Sequence, residues 1–145
     1  MTVKIEKINS NVPTPEFKTD GAAGCDLSAY IDGDLVLKSG ATALVSTGIK
    51  ISIPSNKYFA LLTARSGLSV KHGITLVNGV GVIDSDYTGE IKAGLINLSG
   101  ADYVIKPGDR IAQLIFVSIE RPEFEVVGEI PATERGSGGF GSTGV

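Results

Sequence analysis

Apolar and polar residues alternate along most of this chain, the period-2 pattern of strands with one buried face. The first run, residues 2–8, places Val3, Ile5 and Lys7 on one side. Further strands are predicted over 25–31, 35–37, 42–53 and 58–64, then over 80–83, 90–98, 103–105, 110–119 and 124–127. Each is bounded by Gly, Pro, Asn or Asp, with Tyr87-Thr88-Gly89 and Pro107-Gly108 as the clearest turns. Only residues 66–72 suggest helix, opened by Ser66 and stopped by Gly73. Short strands at this spacing predict an all-β sandwich or barrel.

Composition narrows the function classes. The chain has 145 residues, enough for one core and too few for two independent ones. Its 19 Gly and 6 Pro fit many turns, yet fall short of the share that marks disordered low-complexity chains. A formal charge of −3 argues against a general binder of nucleic acid or membrane surface, which would be basic. The single cysteine, Cys25, cannot form an intrachain disulfide and favours a reducing compartment. With one Cys and one His, zinc sites built from several such ligands are excluded, and any Ser-His or Cys-His mechanism would run through His72. The first residues carry no signal-peptide apolar block, and no run approaches a transmembrane helix in length. A soluble, cytoplasmic protein is expected.

Five segments carry candidate chemistry. The glycine-rich end contains G-x-G-x-x-G between Gly136 and Gly141, but no strand precedes it and no helix follows, so it is not a dinucleotide turn. A solvated terminus is the plain reading. Arg135 and Phe140 support another, because glycine N–H groups form anion nests, Arg adds charge-assisted bonds and an aromatic ring stacks on a base. Around Arg65, Ser66 and Gly67 a strand feeds a short helix with free N–H groups, giving either an anion site or a capped turn whose Arg faces water. His72, near the helix end, is expected to interact with its carbonyls. Asp84 and Asp86 fall on one face of a strand in a predicted hairpin, as turn residues or with one as a general base. Gln113 interrupts an apolar run, so it faces outward or is a buried polar group with a specific partner. Asp26 opens a strand after a small-residue turn, beside Cys25, which reads as a packed apolar residue.

Taken in this order, the segments resemble the five motifs of the homotrimeric dUTP pyrophosphatases (dUTPases). The most specific pieces are Ala64-Arg65-Ser66-Gly67-Leu68, Gly81-Val82-Ile83-Asp84-Ser85-Asp86-Tyr87-Thr88-Gly89, Pro107-Gly108-Asp109-Arg110-Ile111-Ala112-Gln113 and Arg135-Gly136-Ser137-Gly138-Gly139-Phe140-Gly141. The similarity runs from about Gly21 to Gly144. Cys25 and Ser137 depart from it, standing where the family often has a larger apolar or aromatic residue and an acidic one. The resemblance implies a jelly-roll-like distorted β-barrel over 1–130 with one short helical segment, and a C-terminal arm over 131–145 closing on a neighbouring subunit's site. Three sites would lie at the interfaces of a homotrimer.

The same resemblance implies Mg²⁺-dependent hydrolysis of dUTP to dUMP and pyrophosphate, keeping uracil out of DNA and supplying dUMP for dTMP synthesis. Asp84 would activate the water that attacks the α-phosphorus, and Asp86 would shape the turn. Arg65, Ser66, Gly67 and Gln113 would hold phosphates, while Mg²⁺ would sit on phosphates and waters and reach Asp26 through water. Asn78 and hairpin backbone would read uracil, and Ile83 and Tyr87 would pack against the deoxyribose. Phe140 would stack on the base and Arg135 would clamp the γ-phosphate, with Val82, Lys92 and Gly141 completing the contacts. Neither nucleic acid nor membrane is an implied partner. Two alternatives stand beside this reading. A dCTP deaminase of the same fold would need a catalytic Glu, for which Glu90 is the only local candidate. A nucleotide-gated regulatory trimer would use the same site with catalysis secondary.

Overall fold

The computed structural model of the chain describes residues 1–139. Its strands are β1 (Lys4–Lys7), β2 (Cys25–Ser28), β3 (Leu35–Leu37), β4 (Thr42–Ser52), β5 (Tyr58–Ala64), β6 (Ile74–Leu76), β7 (Gly81–Ile83), β8 (Glu90–Asn97), β9 (Tyr103–Ile105) and β10 (Arg110–Ser118). The helix α1 (Ser66–His72) lies between β5 and β6. Two four-stranded sheets, in the orders β1-β4-β8-β6 and β2-β10-β5-β7, are joined by a β3-β9 ribbon. Every pairing is antiparallel. The fold is all-β with one short helix, a jelly-roll-like barrel around a single core.

Inward residues of both sheets meet in one apolar cluster, with Leu27, Ile49, Ile91, Leu95, Ile111 and Leu114 almost wholly buried. The alternation in β8 supplies its share directly: Ile91, Ala93, Leu95 and Asn97 point in. β4 is less regular. Its pairing with β8 slips between Ser46 and Ile49, which face the adjacent residues Lys92 and Ile91. Thr47 and Gly48 are therefore extra, and because two are inserted the inward parity of Val45, Thr47, Ile49 and Ile51 survives. Gly48 has φ +68°, and a Cβ there would stand 2.5 Å from Val12 Cγ2, so only glycine fits.

The helix ends as its composition predicts. Gly73, at φ +69°, donates to Ser69 O at 2.9 Å and stops it. His72 is a correction: it turns to Tyr103, ring centroids 5.0 Å apart, instead of meeting the helix carbonyls. Among the described residues no helix is long and apolar enough to cross a membrane.

Three strand expectations also change. β6 is an additional strand, only three residues long and hard against the helix stop, too short for alternation to register. The predicted strand at 124–127 does not form; residues 119–139 contain neither strand nor helix, and Phe124 is 93% exposed. All four residues of β1 are exposed, so Ile5 and Lys7 do not turn inward, and Val3 just before it is what packs on the core.

Asn97 and Thr47 are the buried polar residues among those described, and Asn97 has no exposed surface. Its Nδ2 donates to Leu37 O and Ala101 O, both at 2.8 Å. Its Oδ1 accepts from Ser99 N at 2.9 Å and Ser99 Oγ at 2.7 Å. Asn97→Ala removes all four hydrogen bonds and is expected to destabilise the protein by about 3 kcal/mol. The check is the urea midpoint at fixed protein concentration.

Candidate active site

The segment expected as a hairpin is instead a crossing between sheets. β7 pairs with β5 in one sheet and β8 pairs with β4 and β6 in the other. Residues 84–89 carry the chain across, so a cleft of about 540 Å³ opens between the sheets. Its walls include Leu44, Val82, Ile83, Asp84, Tyr87 and Lys92. Asp84 and Asp86 lie in the crossing rather than on a strand face, both exposed, and Asp84 O accepts from Tyr87 N at 3.1 Å. The Tyr87 hydroxyl donates to Glu90 O at 2.9 Å. Its ring lies against Gly89, where a Cβ would meet Cζ at 2.6 Å. Asn78 sits outside the walls, exposed in the turn between β6 and β7, where Gly79 adopts φ +73°.

Glu90 lines the same cleft, and the sequence singled it out only as a deaminase acid. The fold commits it elsewhere. Its Oε1 accepts from Ser46 Oγ and, at 2.8 Å, from Gly48 N in the β4 bulge. Its Oε2 lies 3.6 Å from Lys92 Nζ. Burial pushes the Glu90 carboxyl up, but the Ser46 hydroxyl, the Gly48 N–H and Lys92 outweigh it and hold it below the usual carboxylate range. No sequence signal marks this role, because a Glu at a strand start looks solvent-facing.

The cationic residues gather on the other sheet. Asp26, Gln113 and Thr63 stand side by side across β2, β10 and β5. Asp26 Oδ1 accepts from Arg65 Nε at 2.7 Å and Oδ2 from Arg110 Nη1 at 3.0 Å. One carboxylate therefore orders two guanidinium groups and leaves an excess positive charge. Arg65 precedes α1, whose first residues Ser66 and Gly67 are exposed, and nothing crowds Gly67. Gln113 is half-buried and donates through Nε2 to Ala64 O at 3.2 Å, so it is the polar group with a partner. Cys25 is buried behind Asp26 and burial pushes its thiol up, as befits a packed residue.

The structure does not bring these two groups together within one chain. Ile83 pairs with Ala60 near the start of β5, which puts Asp84 level with Phe59. Arg65 follows the far end of that strand, about 20 Å away at the rise of an extended strand. Arg135 is exposed and donates through Nε to Gly138 O at 2.9 Å. Phe140 and Gly141 lie outside the described residues. Among the described residues no cluster of three or more His, Cys, Asp or Glu could cage a metal. The hard oxygens of Asp26 retain lone pairs for water, a donor set that suits a hydrated Mg²⁺ carried by phosphates.

Residues 10–144 match the family model described as dUTPase. The deoxyuridine 5'-triphosphate nucleotidohydrolase of Finegoldia magna is 50% identical over 143 residues, covering 98% of this chain and 99% of the relative. The dUTPase of Staphylococcus bacteriophage 80alpha, solved with dUPNHPP, superposes with a TM-score of 0.85 at 30% identity, covering 99% of each chain. A mutant dUTPase from phage phi11 of S. aureus, described as revealing the coordination of a structural Mg(II) ion, gives 0.81 at 26% identity, over 91% of this chain and 100% of that one.

A carboxyl held low stabilises the folded chain above its unfolded titration range and ceases to as pH falls through its folded value. Wild type is therefore expected to be more stable than Glu90→Gln at neutral pH, with the gap closing on acidification. Urea midpoints measured from neutral pH down through the carboxylate range test this; a gap independent of pH would refute it.

Proposed function

The chain belongs to the dUTPase family, its activity is the hydrolysis of dUTP to dUMP and pyrophosphate, and we propose that the reaction runs at sites shared between three copies of the chain. The observation that carries this reading is the separation of Asp84 from Arg65 along β5. That distance, about 20 Å of strand, exceeds what one triphosphate bridges. A nucleotide whose α-phosphorus lies beside Asp84 must find the cations for its remaining phosphates on a second copy.

In this reading the cleft between the sheets takes the nucleoside. Backbone groups of β7 and Asn78 meet the edge of uracil, and cytosine, with the opposite pattern at the 4-position, leaves them unpaired. Ile83 and Tyr87 pack on the deoxyribose and leave no room for a 2′-hydroxyl, with Val82 and Lys92 beside them. Arg65, Ser66, Gly67 and Gln113 of a neighbouring copy bind phosphate oxygens. Asp84 orients a water in line with the α-phosphorus and takes its proton as the new P–O bond forms. The bond to the bridging oxygen breaks and pyrophosphate leaves. Asp26 would hold Mg²⁺ through water, and the ion would offset charge on the triphosphate.

The domain division proposed is a barrel over 1–130 and an arm over 131–145. The arm comes from another copy, Arg135 clamping the γ-phosphate, Phe140 covering uracil and Gly141 allowing close approach. The lone buried Cys25 suits a reducing compartment, and we place the enzyme in the cytoplasm.

Pyrophosphate release with Mg²⁺ should be fast from dUTP and near background from dCTP, dTTP and UTP; comparable rates from all four would defeat the selectivity. Asp84→Asn should lower turnover by about 10³-fold or more while dUTP still binds. Arg65→Ala should also be inactive, through loss of phosphate contacts. Mixing the two inactive variants under subunit exchange should restore activity, because some sites then combine an intact Asp84 with an intact Arg65 from another chain. No recovery in mixed assemblies would place each site within a single chain.

A further inference from the structure

We propose that Glu90 is a positioning residue that sets the discrimination between deoxyribose and ribose, acting through the seat of Tyr87. The inference rests on reading the cleft as the nucleoside site. Tyr87 is 44% exposed, so general packing does not hold its ring. Two local contacts do. The ring lies on the bare Cα of Gly89, and the hydroxyl donates to the carbonyl of Glu90 at 2.9 Å. The position of the ring therefore follows the backbone of Gly89 and Glu90.

That backbone is the start of β8, where the pairing with β4 is least determined. On one side of the slip Lys92 faces Ser46, on the other Ile91 faces Ile49, and Glu90 is the next residue out. Its carboxylate spans the irregularity, taking Ser46 Oγ from one side and Gly48 N, at 2.8 Å, from within it. Beside the Thr47 Oγ1–Ile91 O bond, that oxygen ties the start of β8 to the β4 bulge, on the very residue whose carbonyl holds Tyr87. Gly48 reinforces the anchor, because Val12 and Tyr30 pack against its Cα and it cannot swing outward. Without the carboxylate, Gly48 N–H loses its acceptor and the Tyr87 seat is free to shift away from the sugar. A shift of that kind relaxes a steric exclusion more than it harms a favourable contact, so ribose gains relative to deoxyribose.

The test compares kcat/KM for dUTP and UTP in wild type, Glu90→Ala, Glu90→Gln and Ser46→Ala. Glu90→Ala is expected to lower the dUTP-to-UTP ratio by about tenfold, with a raised KM for dUTP. Glu90→Gln keeps an acceptor oxygen at the same reach and should hold the ratio within about twofold of wild type. Ser46→Ala, which removes one of the two donors, should lower the ratio by about threefold and serves where Glu90→Ala does not fold. A merely structural role would depress both substrates together and leave the ratio unchanged in Glu90→Ala and Ser46→Ala, and that result overturns the inference. A wild type that released no pyrophosphate from dUTP would defeat the proposed function instead. The positioning role would then be read from the relative affinities of dUMP and UMP in the same variants.

Discussion

The architecture turns on how β4 and β8 stay paired across a two-residue slip. A slip of this size leaves backbone donors and acceptors facing no partner inside the barrel, where each unpaired group costs about 1–3 kcal/mol. Side chains meet that demand. Thr47 Oγ1 donates to Ile91 O at 2.5 Å, and Glu90 accepts from Gly48 N. The same few residues fasten the surrounding chain. Ile8 N donates to Gly48 O at 3.0 Å and Tyr30 N to Ser46 O at 2.8 Å, so the bulge holds β1 and the segment after β2 as well as β8.

The charge distribution follows from the same geometry. Asp84 is carried by the crossing at one end of β5, and the Asp26–Arg65–Arg110 group by the other end. Had they been adjacent, the guanidinium groups would have paired with Asp84 and tied it down. Asp26 takes them instead and fixes their geometry while leaving a net positive charge for an anion. On the reading proposed above, base and cations meet only where copies of the chain come together. The exposed stretch 119–139, with Phe124 and Val126 almost fully in solvent, fits a chain whose last segment serves another copy.

Much of this was legible in the residues themselves. Period-2 alternation located β3, β5 and β9 to the residue, because each is short, bounded by turn formers and half-buried. Ser66 and Gly73 marked the helix, since only a residue tolerant of φ near +69° can close it there. Alternation also misled at 124–127, where the pattern is present but no sheet edge among the described residues receives it. The hairpin expected around Asp84 failed for a related reason: a turn formed by Tyr87-Thr88-Gly89 looks alike whether its flanking strands pair with each other or with two different sheets.

Local strings of residues placed the helix, its glycine stop and most of the strands and turns, and named the residue types available for chemistry, because these depend on backbone preferences and side-chain periodicity within a few residues. The family likeness of the motifs was likewise a property of local strings. That β7 and β8 join different sheets, that Asp84 and Arg65 stand at opposite ends of β5, and that Glu90 serves the β4 bulge came from the assembled fold. Those outcomes rest on which strands pair. Pairing is settled by contacts between residues far apart in the chain, whose energies outweigh local preference and leave no mark on any one segment.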